Sequence, residues 1–261
     1  MQDLKITLVQ TSLVWEDIKA NLSTISKSLN HVIVGSTDLI ILPEMFTTGF
    51  TMKAAQFAEK MDGEAVKWMK ATAAAKQCVI TGSIVIEEDG KYYNRLVWMQ
   101  ADGSYKTYDK RHLFRMANEQ KTYTMGDKKL IVNLKGWKIC LLICYDLRFP
   151  VWSRNQNNYD LLIYVANWPE IRNYPWKQLL IARAIENQCY VAGLNRVGTD
   201  GNNMNHSGDS AIMNFKGEII SNIKPFEETI STITLSYSDL QKFREIFPAN
   251  MDADNFNIIN S

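Results

Sequence analysis

Residues 138–144 read Lys-Ile-Cys-Leu-Leu-Ile-Cys, and nothing polar interrupts the run after Lys138. A short apolar, β-rich run without alternation is the pattern of a strand covered on both faces. The run stops abruptly at Cys144-Tyr145-Asp146. Phe149-Pro150-Val151-Trp152 then reads as a helix start, with Pro in the first turn, where a missing N–H costs nothing. Cys144 therefore falls on a tight strand-to-helix turn. That geometry exposes a sulfur at the end of a rigid strand and points nearby backbone N–H groups at whatever it attacks.

Taken alone, Cys144 fits inert packing equally well, since cysteine is among the most buried residue types. A metal reading of Cys140-x3-Cys144 is weaker still. In a strand the two sulfurs stand about 13 Å apart, and no second Cys or His pair lies near. Other residues must decide.

The chain has 261 residues, 46% hydrophobic and 22% charged, which suits one large domain over 1–261 with a substantial core. Its net charge of +1 comes with no basic block, so neither nucleic acid nor a membrane surface is indicated. The apolar runs are far shorter than the ~18 residues needed to span a bilayer. The N-terminus enters a strand at once and lacks a signal peptide's layout. The cysteines at 78, 140, 144 and 189 sit in apolar runs, unlike a disulfide framework. Together these features predict a cytoplasmic protein.

Along the chain, 5–10 reads as a strand, and Asp17 caps a helix with Ile18, Leu22, Ile25, Leu29 and Val32 on one face. Residues 39–42 form a short apolar strand cut by Pro43-Glu44, and 63–76 a second helix. Asp89-Gly90 and Asp102-Gly103 turn strands 78–86, 92–100 and 104–108 into an antiparallel meander. Strands follow at 130–134 and 138–144, then a helix at 151–157, a strand at 160–166 and a helix at 176–187. Strands at 189–194, 210–215, 218–223 and 229–234 and a helix at 236–247 complete the order. The Gly/Asn-rich stretch 198–208 reads as a long functional loop or lid. Residues 248–261 read as an extended arm that packs on a neighbouring subunit. Hairpins mixed with helical connections exclude an all-parallel sheet and favour two stacked sheets with helices outside.

Glu44, Lys110 and Cys144 each follow a strand, and strand ends on one sheet edge bring distant residues together. Chemically the set is complete. A thiolate attacks, and a carboxylate takes the thiol proton and later delivers it to a leaving amine. An ammonium and the N–H of Tyr145, after the cysteine, stabilise an oxyanion. Individually, Glu44 reads equally as a loop carboxylate and Lys110 as one more solvated charge beside Arg111.

The chain resembles the nitrilase, or carbon–nitrogen hydrolase, superfamily from about Ile6 to Leu235. The matching pieces, in the family's order, are Leu-Pro-Glu-Met-Phe (42–46), Asp-Lys-Arg-His-Leu-Phe (109–114), Ile-Cys-Tyr-Asp-Leu-Arg-Phe-Pro (143–150) and Ala-Arg-Ala-Ile-Glu-Asn-Gln (182–188). The resemblance implies an α/β fold, a four-layer αββα sandwich, and a Glu-Lys-Cys triad of Glu44, Lys110 and Cys144. It also implies a second glutamate, Glu119, that orients Lys110 and keeps it charged.

Within the superfamily the sequence is most similar to omega-amidases of the 2-oxoglutaramate type. The residues concerned are Phe-Thr-Thr-Gly-Phe (46–50), Arg-Met-Ala-Asn-Glu (115–119), Asn-Trp-Pro-Glu-Ile-Arg (167–172) and the run from Asn195 to Ser210. This likeness implies hydrolysis of the terminal amide of a 2-oxo dicarboxylate monoamide, 2-oxoglutaramate or 2-oxosuccinamate, to the oxo acid and ammonia through a cysteine thioester. Arg172 is a candidate for the substrate carboxylate, while Arg148 reads as structural. Phe46 and Trp168 are placed as pocket walls, or as ordinary core. No metal or organic cofactor is implied, since nucleophile, base and oxyanion donors are all side chains or backbone; the resemblance, with the arm's mix of Phe256, Ile258 and Ile259 with polar residues, implies a homodimer to which the arm contributes. Competing readings are an amidase or nitrilase of another substrate, a Cys-His hydrolase using His112, and a catalytically silent binding protein on the same fold.

Overall fold

The computed structural model describes residues 2–156 and 158–259. Strands β1 (Leu4–Gln10), β2 (Leu39–Ile41), β3 (Val79–Glu88), β4 (Lys91–Met99) and β5 (Tyr105–Asp109) form one sheet in chain order. Strands β6 (Leu130–Leu134), β7 (Trp137–Ile143), β8 (Leu161–Val165) and β9 (Tyr190–Leu194) form the second, and β10 (Val197–Thr199) and β11 (Asn205–Ser207) pair as a separate hairpin. Strand β12 (Ala211–Met213) extends the second sheet beside β9, and β13 (Thr229–Leu235) extends the first beside β1. Neighbours β1, β2 and β3 run parallel, as do β7, β8 and β9, whereas the β3–β4–β5 meander is antiparallel.

Alternation along the strands sorts the apolar residues into two layers. Ile6, Leu8, Leu39, Ile41, Leu96 and Trp98 face the second sheet and join Ile139, Leu141 and Ile143 in one core. Val9, Ile40, Leu42, Ile80 and Val97 face the other way, where helices α1 (Ile18–Leu29) and α3 (Glu64–Lys76) cover them through Leu22, Ile25, Leu29, Val66, Met69 and Ala73. Asp17 caps α1, its Oδ1 accepting from Ala20 N at 2.9 Å. On the outer side of the second sheet, α6 (Asn173–Asn187) contributes Trp176, Leu180 and Ala184, and α7 (Tyr237–Ile246) contributes Leu240. Helices α2 (Ala54–Phe57), α4 (Glu119–Thr122) and α5 (Pro150–Ser153) are single turns. The layers run helix, sheet, sheet, helix, the αββα sandwich expected from the resemblance. Among the described residues no helix is long and apolar enough to cross a membrane.

Four expectations change. The helix expected at 151–157 is only α5, preceded by a 3₁₀ turn over Cys144–Arg148; Asn157 lies outside the described residues. Asn155 diverts the chain there, its Oδ1 accepting from Asn158 N and its Nδ2 donating to Tyr159 O. Residues 218–223 form no strand beyond one bridge, Met213 to Ile219, because Ile219 and Ile220 face solvent with no layer to cover them. Stretch 198–208 is the β10–β11 hairpin rather than an irregular loop, its turn built on Asp200, whose Oδ1 accepts from Asn202 N and Met204 N. The arm begins with a 3₁₀ turn over Ala249–Asp252 before it extends, and residues 260–261 lie outside the described residues.

Candidate active site

Three strand ends deliver the charged groups to one place. After β2, Pro43 and Glu44 enter a tight turn in which Met45 has φ 41°. Leu42 N donates to Thr81 O at 2.7 Å and Met45 N to Ser83 Oγ at 2.8 Å, pinning this turn onto β3. Only glycine fits beneath it, since a Cβ on Gly82 would lie 2.8 Å from Leu42 Cβ. After β5, Lys110 N donates to Asn94 O at 3.0 Å, and Gly126 N donates to Lys110 O at 2.9 Å. Here too a Cβ is excluded, because on Gly126 it would meet Asp109 O at 2.2 Å. After β7, Cys144 takes φ 43°, the left-handed region, which a non-glycine residue holds only where its surroundings compel it.

At the centre stands the Lys110 ammonium. Its Nζ lies 2.8 Å from Glu44 Oε1 and 3.1 and 3.0 Å from Glu119 Oε1 and Oε2, with all three side chains buried. Asn94 Nδ2 donates to Glu44 Oε1 at 2.8 Å and reaches Glu119 Oε1 at 3.4 Å. Phe114 N donates to Glu119 Oε2 at 2.5 Å. The other oxygen of Glu44, Oε2, accepts from Asn167 N at 2.8 Å, and Asn167 Nδ2 donates to the Glu44 carbonyl. Cys144, 8% exposed, stands close enough to the Glu44 carboxylate and the Lys110 ammonium for both charges to act on its thiol.

Electrostatics follow from this crowding. Burial opposes the Lys110 ammonium, but Glu119 and Glu44 outweigh it and raise its pKa above the ordinary lysine value. Burial raises the Glu119 pKa and Glu44 adds to it, with Lys110 pulling the other way, since two carboxylates share one ammonium. Burial first, and then the Glu44 charge, push the Cys144 thiol well above its usual range, while Lys110 and the Asn167 backbone N–H pull it back. The sulfur is thus held in its thiol form beside a carboxylate.

Cys144 and Lys110 open onto a pocket of about 260 Å³. Trp168 and Arg172 line it, as does Tyr145, whose N–H lies in the first turn of the 3₁₀ helix and has no partner within that helix. Phe46 does not. It is fully buried between the first sheet and α3, 5.8 Å from Trp68, because the tight turn at Met45 rotates it away from Glu44. Phe50 lines the pocket instead, with Lys110 Nζ 5.0 Å from its ring centre. Arg148, read as structural from sequence, also lines the pocket, its guanidinium 5.1 Å from the Trp168 ring centre, while that of Arg172 lies 5.3 Å from the Phe114 ring centre. Burial, and the neighbouring charge of Arg148, lower the Arg172 pKa. His112 lies outside this pocket. Its Nδ1 is 2.7 Å from Asp146 Oδ1 and its ring stacks on Phe149 at 3.7 Å.

Sequence reasoning missed Asn94, which joins the two carboxylates; it stands in β4 between Tyr93 and Arg95, where no local pattern marks it. The hairpin over the stretch read as a functional loop forms one pocket wall, where Asp200, Asn202, Met204 and His206 stand. Burial, with Arg196 behind it, pushes the His206 pKa down to about 4, so that wall is a neutral imidazole. The matching segment 182–188 acquires a task as well: Arg183 Nη2 donates to Leu147 O at 2.7 Å, holding the far end of the turn that carries Cys144.

Comparison with known proteins agrees with this architecture. The carbon–nitrogen hydrolase family profile matches residues 5–245. The chain is 49% identical over 260 residues to omega-amidase YafV of Escherichia coli strain K12, covering 99% of this chain and 100% of that protein. It is 33% identical over 238 residues to 2-oxoglutaramate amidase of Bacillus subtilis, covering 89% of each. Among solved structures, XC1258 of Xanthomonas campestris, a CN-hydrolase superfamily protein with an arsenic adduct in its active site, matches with TM-score 0.96 and 45% identity, covering 99% of this chain and 100% of that one. Nit3 of Saccharomyces cerevisiae, a nitrilase superfamily member, shares the fold at TM-score 0.83 and 24% identity, covering 95% of each chain. By its fold, its motifs and these relatives, the chain belongs to the carbon–nitrogen hydrolase family.

Proposed function

We propose that this protein is a thiol amidase that hydrolyses the terminal amide of a small 2-oxo dicarboxylate monoamide, 2-oxoglutaramate or 2-oxosuccinamate. The observation that carries this reading is the charge layout of one pocket. A thiol beside the Glu44–Lys110 ion pair opens onto it, and two guanidinium groups, Arg148 and Arg172, line it. The first set suits an amide carbon and the second a substrate carboxylate. The names of the relatives in Escherichia coli and Bacillus subtilis support the same class.

In the first half-reaction Glu44 takes the Cys144 proton as sulfur attacks the amide carbon. The C–S bond forms and the carbonyl π pair moves to oxygen, where Lys110 Nζ and Tyr145 N–H stabilise the charge. Collapse breaks the C–N bond, and the proton on Glu44 passes to nitrogen, so ammonia leaves and a thioester remains. In the second, Glu44 removes a proton from water as the oxygen attacks the thioester. The C–S bond breaks, the oxo acid departs, and the sulfur regains its proton. Glu119 touches no reacting atom; it holds Lys110 in place and charged.

A panel of 2-oxoglutaramate, 2-oxosuccinamate, glutamine, asparagine and simple nitriles, read by ammonia release, tests the assignment. The 2-oxo amides should turn over fastest, with an acyl adduct on Cys144 in mass spectra of quenched reactions. Ammonia release that survives in Cys144→Ala would reject the thioester route, and no release from any compound would favour a silent binding protein. The protein is further proposed to act as a homodimer, with the arm and its exposed Ile259 taking part. Sedimentation showing a monomer at micromolar concentration would count against that.

A further inference from the structure

Asp146 is fully buried two residues past Cys144, and its carboxylate bridges the two segments that carry Cys144 and Lys110. Oδ2 accepts from Ile143 N at 3.0 Å, the residue just before the cysteine, and from Tyr108 OH at 2.7 Å. Oδ1 accepts from His112 N at 2.9 Å, and His112 Nδ1 lies 2.7 Å from the same oxygen, which places a ring proton on that nitrogen. Tyr108 and His112 flank Lys110 on either side in sequence. The Tyr108 hydroxyl is itself saturated, accepting from Trp152 Nε1 at 3.0 Å and Arg111 N at 3.3 Å. Cys144, in the left-handed region, sits inside the ring that Ile143 N and the Asp146 carboxylate close.

We infer that Asp146 is a positioning residue that locks the Cys144 turn to the Lys110 strand end and thereby sets the placement of the sulfur against Glu44 and Lys110. The inference rests on the roles proposed above for those three residues. A strained backbone conformation persists only when its surroundings over-determine it. Four donors converging on one buried carboxylate, Ile143 N from the Cys144 segment and Tyr108 OH, His112 N and His112 Nδ1 from the Lys110 segment, supply that constraint. Asparagine has the same size but offers one acceptor oxygen and an NH2 group. It therefore leaves at least one backbone N–H facing another donor. His112 acts through Asp146, which explains why a histidine two residues past Lys110 stands outside the pocket.

The test is a double-mutant cycle of Asp146→Asn with Glu44→Gln, read as the rate at which iodoacetamide alkylates Cys144, resolved from the other cysteines by mass spectrometry. The probe needs no substrate, so an error in the proposed substrate does not affect it. With Asp146 intact, Glu44→Gln removes a charge that holds the thiol protonated and should speed alkylation about tenfold near pH 8.5. In Asp146→Asn that response should fall below about threefold. Turnover of the best amide should drop about 100-fold in kcat with KM within about threefold, the pattern of a displaced reacting group. A folded Asp146→Asn that keeps the tenfold response, with kcat within about threefold of the parent, overturns the inference. If Asp146→Asn does not fold, Tyr108→Phe decides, since it removes one donor and leaves the carboxylate; an unchanged response and kcat there also overturn it. If Glu44→Gln alone leaves alkylation unchanged, the Glu44 assignment fails instead, and the alkylation rate of Asp146→Asn against the parent settles Asp146: altered more than about threefold supports it, unaltered rejects it.

Discussion

Lys110 and Glu119 face each other across a bidentate contact, Nζ standing 3.1 and 3.0 Å from the two carboxylate oxygens, with neither side chain reaching solvent. Glu44 takes a further contact of the same ammonium, so one cation is shared by two buried anions. Lys110 is therefore held charged and immobile before any substrate arrives, and most of the expectations below depend on that arrangement.

Glu44→Gln should separate proton transfer from thiol reactivity. The amide keeps the size of the carboxylate but carries no proton between Cys144, ammonia and water. Amide turnover should fall by about 100- to 10,000-fold. Iodoacetamide alkylation of Cys144 should instead accelerate, because the charge that raises the thiol pKa is gone. Rates for His112→Ala measured in parallel decide against a Cys-His mechanism; that variant should keep more turnover than Glu44→Gln, and the reverse order would mean the base is misassigned.

Replacing Lys110 should cost both rate and stability. Lys110→Met leaves Glu44 and Glu119 buried without a counter-ion, a loss on the order of 3–5 kcal/mol in denaturant unfolding. Losing one oxyanion donor lowers kcat by about 100- to 1,000-fold. Lys110→Arg restores charge but places a planar fork where a compact ammonium meets three carboxylate oxygens, so little activity should return.

Glu119→Gln should lower kcat while leaving Cys144 open to alkylation, because Glu119 bonds to Lys110, Phe114 N and Asn94 rather than to the sulfur. A variant in which alkylation is blocked as well would indicate collapse of the pocket, not loss of a support for Lys110.

The two arginines should govern affinity for carboxylate-bearing amides. Arg172→Ala and Arg148→Ala are each expected to raise KM for a 2-oxo dicarboxylate monoamide about 10- to 100-fold, with a smaller change in kcat. A neutral aliphatic amide of similar length should be nearly indifferent. Equal effects on both compounds would mean the guanidinium groups serve the pocket's shape.

Lys110 also sets a pH signature. Its pKa is raised in the folded state, so its contribution to stability is complete below the unfolded value of 10.5 and is lost only as pH rises through the higher folded value. The unfolding free-energy gap between the parent and Lys110→Met should stay constant between about pH 7.5 and about pH 10. A gap that closes within that interval would show that Lys110 sheds its proton early and is not held by the two glutamates.

Local patterning in the sequence determined most of the elements. Unbroken apolar runs at β2, β7 and β8 specified strands covered on both faces, and Asp89-Gly90 specified a hairpin, because strand pattern and turn chemistry act over a few neighbouring residues. The cysteine turn was legible for the same reason, and motif order pointed to Glu44, Lys110, Cys144 and Glu119. Tertiary structure alone decided which way each side chain points once its strand has ended. The backbone at Met45, φ 41°, turns Phe46 into the core and leaves Glu44 beside Lys110, although Glu44 and Phe46 stand only two residues apart in a single motif. Arg148 joins the pocket because the turn after Cys144 is a 3₁₀ helix that continues through it, a length the sequence did not specify. Asn94 reaches two glutamates 50 and 25 residues away only because β4 passes beside both the turn after β2 that carries Glu44 and the start of α4 at Glu119. Such contacts depend on sheet order and on the pairing of remote segments, which no local stretch of sequence encodes.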